Sequence, residues 1–387
     1  MINVIVFASV YMSGCNDFGK LGQNSTKTFT TAFNKDEHFF AGKIRKIALG
    51  TSHGLYLNSQ NQIFSWGDNR YNQAGSPTTV QYYPQHLPFF DDKNASDIST
   101  GWVHSVVLTT NGTVFGWGNN KLGQIRTDQF NNNPVIIDQD VQIKQILTGD
   151  FYTIIVKQDS FDVYGLIHKC MATLDFMNEN KITYKYNTEW IFAGPSSVIF
   201  RANNQTYALG DNENAQFCTD SATCFIQPTK LDFDYEKVSL SSNHNVYIDK
   251  NKVFSCGSNA SGQLVNIEEA NAIQVQATLK GSIVLQKSGL LIYGEDTMGE
   301  LGSQQKNYLH YKLQLGAVIN HVYSNQDYTF LYGQEKATWK IVGISVLVGI
   351  IVVVILVFGW ILYSCKKQQK TTKKEEMIKL VDIRAQA

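Results

Sequence analysis

The feature that most constrains this chain is a short phrase written seven times. A strand of aromatic or apolar residues ends in glycine at Gly14 (YMSGCN), Gly67 (FSWGDN), Gly118 (FGWGNN), Gly165 (DVYGLI), Gly210 (YALGDN), Gly257 (FSCGSN) and Gly294 (LIYGED), at intervals of 53, 51, 47, 45, 47 and 37 residues. A second phrase precedes most of these. It consists of a small residue, two others, a His or small polar residue, and then an apolar strand. It begins at Gly50 (GTSHGLYL), Gly101 (GWVHSVVL) and Gly149 (GDFYTIIV), and more weakly at Gly194, Ser241, Thr278 and Ser324 (SNQDYTFL). The gap from its last apolar residue to the next glycine suits two strands joined by a tight turn. In one gap stands Asn111-Gly112, the dipeptide favoured where both turn residues take φ > 0. Self-similarity at such a period marks a repeat architecture.

The two phrases are out of phase with the chain ends. The chain opens on a glycine strand that lacks a partner phrase and closes on SNQDYTFLYG, which lacks a glycine strand. A linear solenoid uses distinct caps at its two ends. A ring instead joins the termini in one blade, so this arrangement predicts an all-β fold, a seven-bladed β-propeller closed by its N- and C-terminal strands. Residues 5–14 are expected to pair with the strands around Tyr323–Tyr332. The composition agrees, with 22 Phe, 19 Tyr, 29 Gly and only 6 Pro among 387 residues.

The glycine phrase continues as WGNNKLGQI, GSNASGQL, GEDTMGELG and GCNDFGKLG, and GWVHSVVL is the best copy of the second phrase. Trp-Asp, Gly-His and Gly-Gly dipeptides, which other propeller repeats carry, are absent. Over roughly residues 5–333 the chain resembles the regulator of chromosome condensation repeat family. That family's repeat ends in Trp-Gly-x-Asn followed by Gly-Gln-Leu-Gly and carries Gly-x-x-His-Ser-x-x-Leu before a hairpin. The resemblance implies a seven-bladed propeller. It is poor in the fourth and fifth repeats, where VYGLIHKC has lost the Asn and the Gly-Gln. Some members of the family promote nucleotide exchange on a small GTPase. No residue here matches their contacting loops, so none is assigned that role.

Residues 341–363, IVGISVLVGIIVVVILVFGWILY, carry no charge. As a helix they would reach about 34 Å, enough to cross a bilayer. Lys366, Lys367, Lys370, Lys373 and Lys374 follow directly, and the positive-inside rule then places the tail in the cytoplasm. The expected organisation is a propeller over 1–333, a linker over 334–340, a transmembrane helix over 341–363 and a basic tail over 364–387. The N-terminal MINVIVFASVYMSG is apolar but lacks the basic start and cleavage site of a signal peptide. The tail carries a net +4 and residues 1–363 a net −4. That mildly acidic body argues against nucleic-acid partners.

Most of the singled-out residues have structural explanations. Gly14, Gly67, Gly118, Gly165, Gly210, Gly257 and Gly294 suit a close backbone approach. Trp66 and Trp117 are expected between blades, and Asn69 and Asn120 to bond their own turns. His53, His104 and His244 recur at equivalent places. No carboxylate or cysteine recurs with them, so packing is expected rather than a metal ring. No phosphate loop, Gly-x-Ser-x-Gly elbow or His-Glu-x-x-His is present, so no catalytic residue, cofactor or metal ligand is assigned. Cys218 and Cys224, six apart, are candidates to close a small loop by spacing alone, Cys15 and Cys256 are read as free and buried, and Cys365 as a palmitoylation site beside the membrane. Asn24, Asn94, Asn204 and Asn259 head glycosylation sequons; Asn111 does too but is assigned to its turn. The functional expectation is a single-pass membrane protein presenting the propeller as a non-catalytic platform for a protein ligand. The alternative is a membrane-anchored exchange factor for a small GTPase with its propeller in the cytosol.

Overall fold

The computed structural model describes residues 8–36, 43–125, 133–173, 181–219, 223–302, 309–313 and 317–335. The described strands form seven sheets, each of four antiparallel strands. Blade 1 covers residues 44–86, blade 2 95–139, blade 3 145–184, blade 4 188–230, blade 5 237–267 and blade 6 272–313. In each, the strands lie in sequence order from the ring axis outwards. Adjacent innermost strands touch all the way round, and that of blade 7 returns to that of blade 1.

Blade 7 is composite. Its two inner strands, Ala317–Asn325 and Tyr328–Glu335, come from one end of the chain, and its two outer strands, Ala8–Cys15 and Phe29–Asp36, from the other. The join runs antiparallel from Ala8 opposite Gln334 to Gly14 opposite Tyr328. This is the closure that the phase of the repeats predicts.

All seven recurrent glycines end the third strand of a blade with positive φ, from 81° at Gly165 to 120° at Gly257. A Cβ at Gly67 would lie 2.5 Å from the Ser52 carbonyl oxygen and 2.6 Å from the His53 Cα. Comparable backbone atoms crowd the other six. The reason is a repeated bond. The residue after each glycine donates its N–H back to the carbonyl that precedes the second strand, as Asp68 does to Ser52 (2.9 Å) and Cys15 to Asp327 (2.9 Å). The seventh copy shows that the second phrase in blade 7 is shifted by one residue from SNQD: Tyr328, not Asp327, stands where His53 stands in blade 1. The Asn111-Gly112 turn also differs from expectation. Only Gly112 has positive φ (80°), and its N–H returns to the Thr109 carbonyl. The result is a three-residue loop ending in a left-handed glycine rather than a two-residue turn.

The apolar residues sort into seven clusters, one between each pair of neighbouring blades. Trp66 lies between blades 7 and 1 beside Val10, Met12 and Phe330, and Trp117 between blades 1 and 2 beside Leu87 and Phe90. Both are fully buried, and each indole N–H crosses to the previous blade, Trp66 to the Lys20 carbonyl (2.7 Å) and Trp117 to the Gln73 carbonyl (3.0 Å). Truncating such a residue to alanine costs about 3–5 kcal/mol. Among the described residues no helix is long and apolar enough to cross a membrane. The segment 341–363, the tail and Cys365 lie outside the described residues.

Two measurements check this architecture. Gly67→Ala should lower unfolding stability by at least about 1–3 kcal/mol in denaturant titrations, the usual cost of such backbone strain. Deleting residues 1–16 should leave the outer edge of Tyr328–Glu335 unpaired and raise aggregation in light scattering. An unchanged melting temperature and solubility would refute closure through the termini.

Candidate functional site

Each second strand starts beside the end of the third. The loops before the second strand and after the third therefore share one face of the ring, here called the loop face. The hairpins between second and third strands occupy the opposite face, where the strand Tyr328–Glu335 ends.

The outer loops of the loop face are built by the residues that follow each glycine. Two positions on, Asn16, Asn69, Asn120, Asn212, Asn259 or Asp296 accepts the N–H of the residue five places later, at 2.8–3.1 Å. Asn69 also donates to the Ser76 and Thr78 carbonyls (2.6 Å each). Six positions on, Gln73, Gln124, Gln216, Gln263 or Glu300 accepts the N–H of the residue two places before it. These bonds fix the backbone on either side of the residue four positions on. In four consecutive blades it is apolar and exposed: Met298 (46%), Phe18 (41%), Tyr71 (40%) and Leu122 (40%) in blades 6, 7, 1 and 2. The equivalents in blades 4 and 5 are Asn214 and Ser261. Arg70 packs its guanidinium on the Phe18 ring at 3.9 Å, and Asp68 holds that guanidinium at 2.9 Å.

The inner loops add a second aromatic element. Trp102 is 41% exposed and packs against Phe151, the two rings tilted at 49° with centroids 5.0 Å apart. Asp150 precedes Phe151 in the same loop. Its main chain bridges blades, accepting from Trp102 N and donating to the Pro195 carbonyl. Its carboxylate accepts from Thr51 Oγ1 (3.4 Å) and Gln326 Nε2 (3.3 Å). Burial raises its pKa to about 6. Asp150 borders a cavity of about 380 Å³ on the ring axis. Hydroxyls and amides line much of it, including the bonded pairs Ser239–Gln276 and Ser324–Gln276. Asp150 and Lys237 are its charged lining groups, and Lys237 starts its strand at the far end. This lining carries no imidazole or thiol.

The recurrent histidines are structural. His53, His104 and His244 are fully buried and reach Ser105 (2.8 Å), Thr153 (3.1 Å) and Ser282 (3.0 Å) of the next blade. The Ser105 and Ser282 hydroxyls donate onward to the Gln73 and Gln263 carbonyls, so each of those imidazoles is the donor through Nε2. Tyr152 and Tyr328 take the histidine position in blades 3 and 7, bonding the Gly194 and Gly50 carbonyls. Desolvation lowers the histidine pKa values to about 4, 3 and 4 for His53, His104 and His244.

The cysteine pairing departs from the sequence reading. Cys218 does not bond Cys224. It bonds Cys256 of blade 5, and Cys224 bonds Cys170 of blade 3, with Cα–Cα distances of 5.2 and 6.4 Å. The two residues of blade 4 face opposite neighbours, which six residues of local sequence cannot reveal. Cys256 is therefore not free. Cys15 is free and buried, and desolvation raises its thiol pKa to about 11. The four sequon residues Asn24, Asn94, Asn204 and Asn259 are all exposed. Asn259 also holds its own loop through Leu264 N.

A model of the Regulator of chromosome condensation (RCC1) repeat matches residues 44–73 and 95–124, and a second of the same description matches 60–108. Those stretches are regulator of chromosome condensation repeats. The chain is 25% identical over 279 residues to the Ultraviolet-B receptor UVR8 of Arabidopsis thaliana, covering 66% of this chain and 62% of that protein. It is 32% identical over 200 residues to the Probable E3 ubiquitin-protein ligase HERC4 of Homo sapiens, covering 47% of this chain and 18% of that one. The chain thus spans under two thirds of these relatives. Among solved structures, Prp20p of Saccharomyces cerevisiae superposes with a TM-score of 0.75 at 14% identity over 86% of this chain and 93% of that one. Human WBSCR16 gives 0.72 at 16% identity over 85% and 99%. At such identities the likeness is one of fold, the seven-bladed RCC1-repeat propeller.

The buried histidines generate a pH prediction. A base whose folded pKa is depressed is protonated more readily in the unfolded chain, so stability falls as pH drops from about 6.5 towards the folded value. The raised carboxyls of Asp150 and Glu300 act in the opposite sense, losing stability as pH rises towards about 6 and 7. A paired comparison isolates one group. Between pH 6 and 4, the stability of wild type should fall more steeply than that of His104→Gln, by about 1.4 kcal/mol per pH unit. Urea titrations across that range measure the difference, and parallel curves would show that His104 is not buried neutral.

Proposed function

We propose that this protein is a single-pass membrane protein that presents its RCC1-repeat propeller as a non-catalytic platform for a protein ligand, docked on the loop face. The arc of Met298, Phe18, Tyr71 and Leu122, continued inwards by Trp102, carries this reading. Exposed apolar side chains clustered on one face mark interaction sites, and aromatic residues beside arginine are enriched in them. The polar Asn214 and Ser261 give the face a direction, so the ligand engages blades 6, 7, 1 and 2 rather than the whole ring. The membrane part rests on the uncharged segment 341–363 and the five lysines after it. The exposure of the four sequon asparagines suits a propeller that has crossed the membrane.

A photo-reactive residue placed at Tyr71 or Leu122 of the full chain in cells should give one discrete adduct, and the same residue at Asn111 or Asn203 on the hairpin face should give none. Adducts from the hairpin face alone would overturn the docking assignment. Treatment with an N-glycosidase should increase mobility, and replacing Lys366, Lys367, Lys370, Lys373 and Lys374 by glutamine should mix the orientations. A chain without glycans whose propeller is cut by protease in cells with permeabilised plasma membranes and sealed lumenal compartments would favour the second reading. In that reading the anchored propeller faces the cytosol and exchanges nucleotide on a small GTPase. The binding of Prp20p to Gsp1p and histones is the observation in its favour. Accelerated nucleotide release from a GTPase partner would establish it.

A further inference from the structure

Blade 3 lacks the loop that the other blades share. After Gly165 the chain reads LIHKCM, and the positions of the turn asparagine and glutamine hold Ile167 and Met171, both buried. What fixes this loop is a polar cluster shared with blade 4. His168 stands between a sulfur and a carboxylate: its Nδ1 lies 3.6 Å from Cys224 Sγ, and its Nε2 lies 3.9 Å from Asp211 Oδ2. The ligand atoms of His168, Cys170 and Cys224 all fall within 4.8 Å of one another. The His168 and Asp211 side chains are only 12% and 10% exposed.

A cross-link alone requires neither the imidazole nor the carboxylate. Cys218–Cys256 provides the comparison within the same molecule: among the described residues, no cluster of three metal-ligating side chains includes either of those cysteines. The distances at His168 fit a metal. On a tetrahedral zinc, with Zn–S about 2.3 Å and Zn–N about 2.0–2.1 Å, a sulfur and a nitrogen stand about 3.6 Å apart. An imidazole that ligates through one nitrogen and faces a carboxylate through the other is the usual outer-shell arrangement of zinc histidines.

We propose that His168 Nδ1, Cys170 Sγ and Cys224 Sγ form a zinc site in the reduced protein, with Asp211 orienting the imidazole and the fourth position open to a water. The disulfide and the zinc site are alternative states of the same two sulfurs. A dithiol reductant transfers two electrons and two protons to the Cys170–Cys224 bond and becomes a disulfide itself. Zinc then displaces the two thiol protons as the sulfurs part to about 3.8 Å. The site joins blades 3 and 4 in either state, so the redox poise of the surroundings selects which link holds them. Glu213, next to Asp211 in the loop, is paired with Lys169 at 3.3 Å and stays outside the ligand set.

The test uses the full chain in detergent, reduced and then freed of reductant, with Co²⁺ as the spectroscopic probe and Zn²⁺ as its competitor. Reduced wild type should bind one Co²⁺ per chain, with a thiolate charge-transfer band that Zn²⁺ abolishes, and the oxidised chain should show no band. Cys170→Ser and Cys224→Ser should lose it, Cys218→Ser should keep it, and Asp211→Asn should weaken binding by about 10–100-fold. Wild type also supplies a readout independent of variant folding. Zn²⁺ should protect Cys170 and Cys224 from alkylation under reducing conditions while leaving Cys218 and Cys256 reactive, as read by peptide mass spectrometry. Absence of stoichiometric metal in the reduced wild type, or protection spread evenly over all four cysteines, would overturn the proposal.

Discussion

The ring depends on one backbone hydrogen bond made seven times: the N–H after each recurrent glycine returns to the carbonyl before the second strand. The bond needs the chain to reverse where a Cβ would meet backbone atoms, so glycine is demanded by space as well as by φ. It fixes where the third strand stops and therefore where the outer loop begins. That in turn sets which carbonyl, at Lys20, Gln73, Gln216 or Gln263, is offered to the next blade. Strand ends, loop conformation and blade-to-blade bonding follow from a single local constraint.

Much of this was legible because it recurs. The seven glycines, the out-of-phase termini and the turn asparagines each imply a geometry that one strand pair can satisfy, and Asn69 and Asn120 do what their spacing suggests. The misread features depend on what lies beside a residue in the ring. Cys218 and Cys224 are close in sequence but face different blades. Asp150 reads as an ordinary acid in GDFYTIIV, yet the inner loops of blades 1 and 7 converge on it. The offset in blade 7 is hidden in the sequence because SNQD imitates the second phrase one residue early.

The site was half legible. Phe18, Tyr71, Leu122 and Met298 occupy one position of an alignable loop, so their equivalence is in the sequence. Their exposure is not, because it depends on the side-chain bonds at Asn16, Asn69, Asn120 and Asp296 that fix the loop backbone. Trp102 joins them only because loops from different parts of each repeat share a face. The loss of consensus in VYGLIHKC was visible as a gap. What fills it was not, because Asp211 and Cys224 arrive from the following blade.

The composite seventh blade also orders events in time. Among the described strands Ala8–Cys15 is synthesised before the others, and its partner Tyr328–Glu335 follows more than three hundred residues later. At about 5–20 residues per second, the first strand waits on the order of tens of seconds before its partner exists. Blades 1 to 6 can assemble from contiguous sequence as they emerge, but the ring closes last, through the strand pair most widely separated in sequence among the described strands. During that interval the growing protein carries an unsatisfied edge that only its own far end can cover.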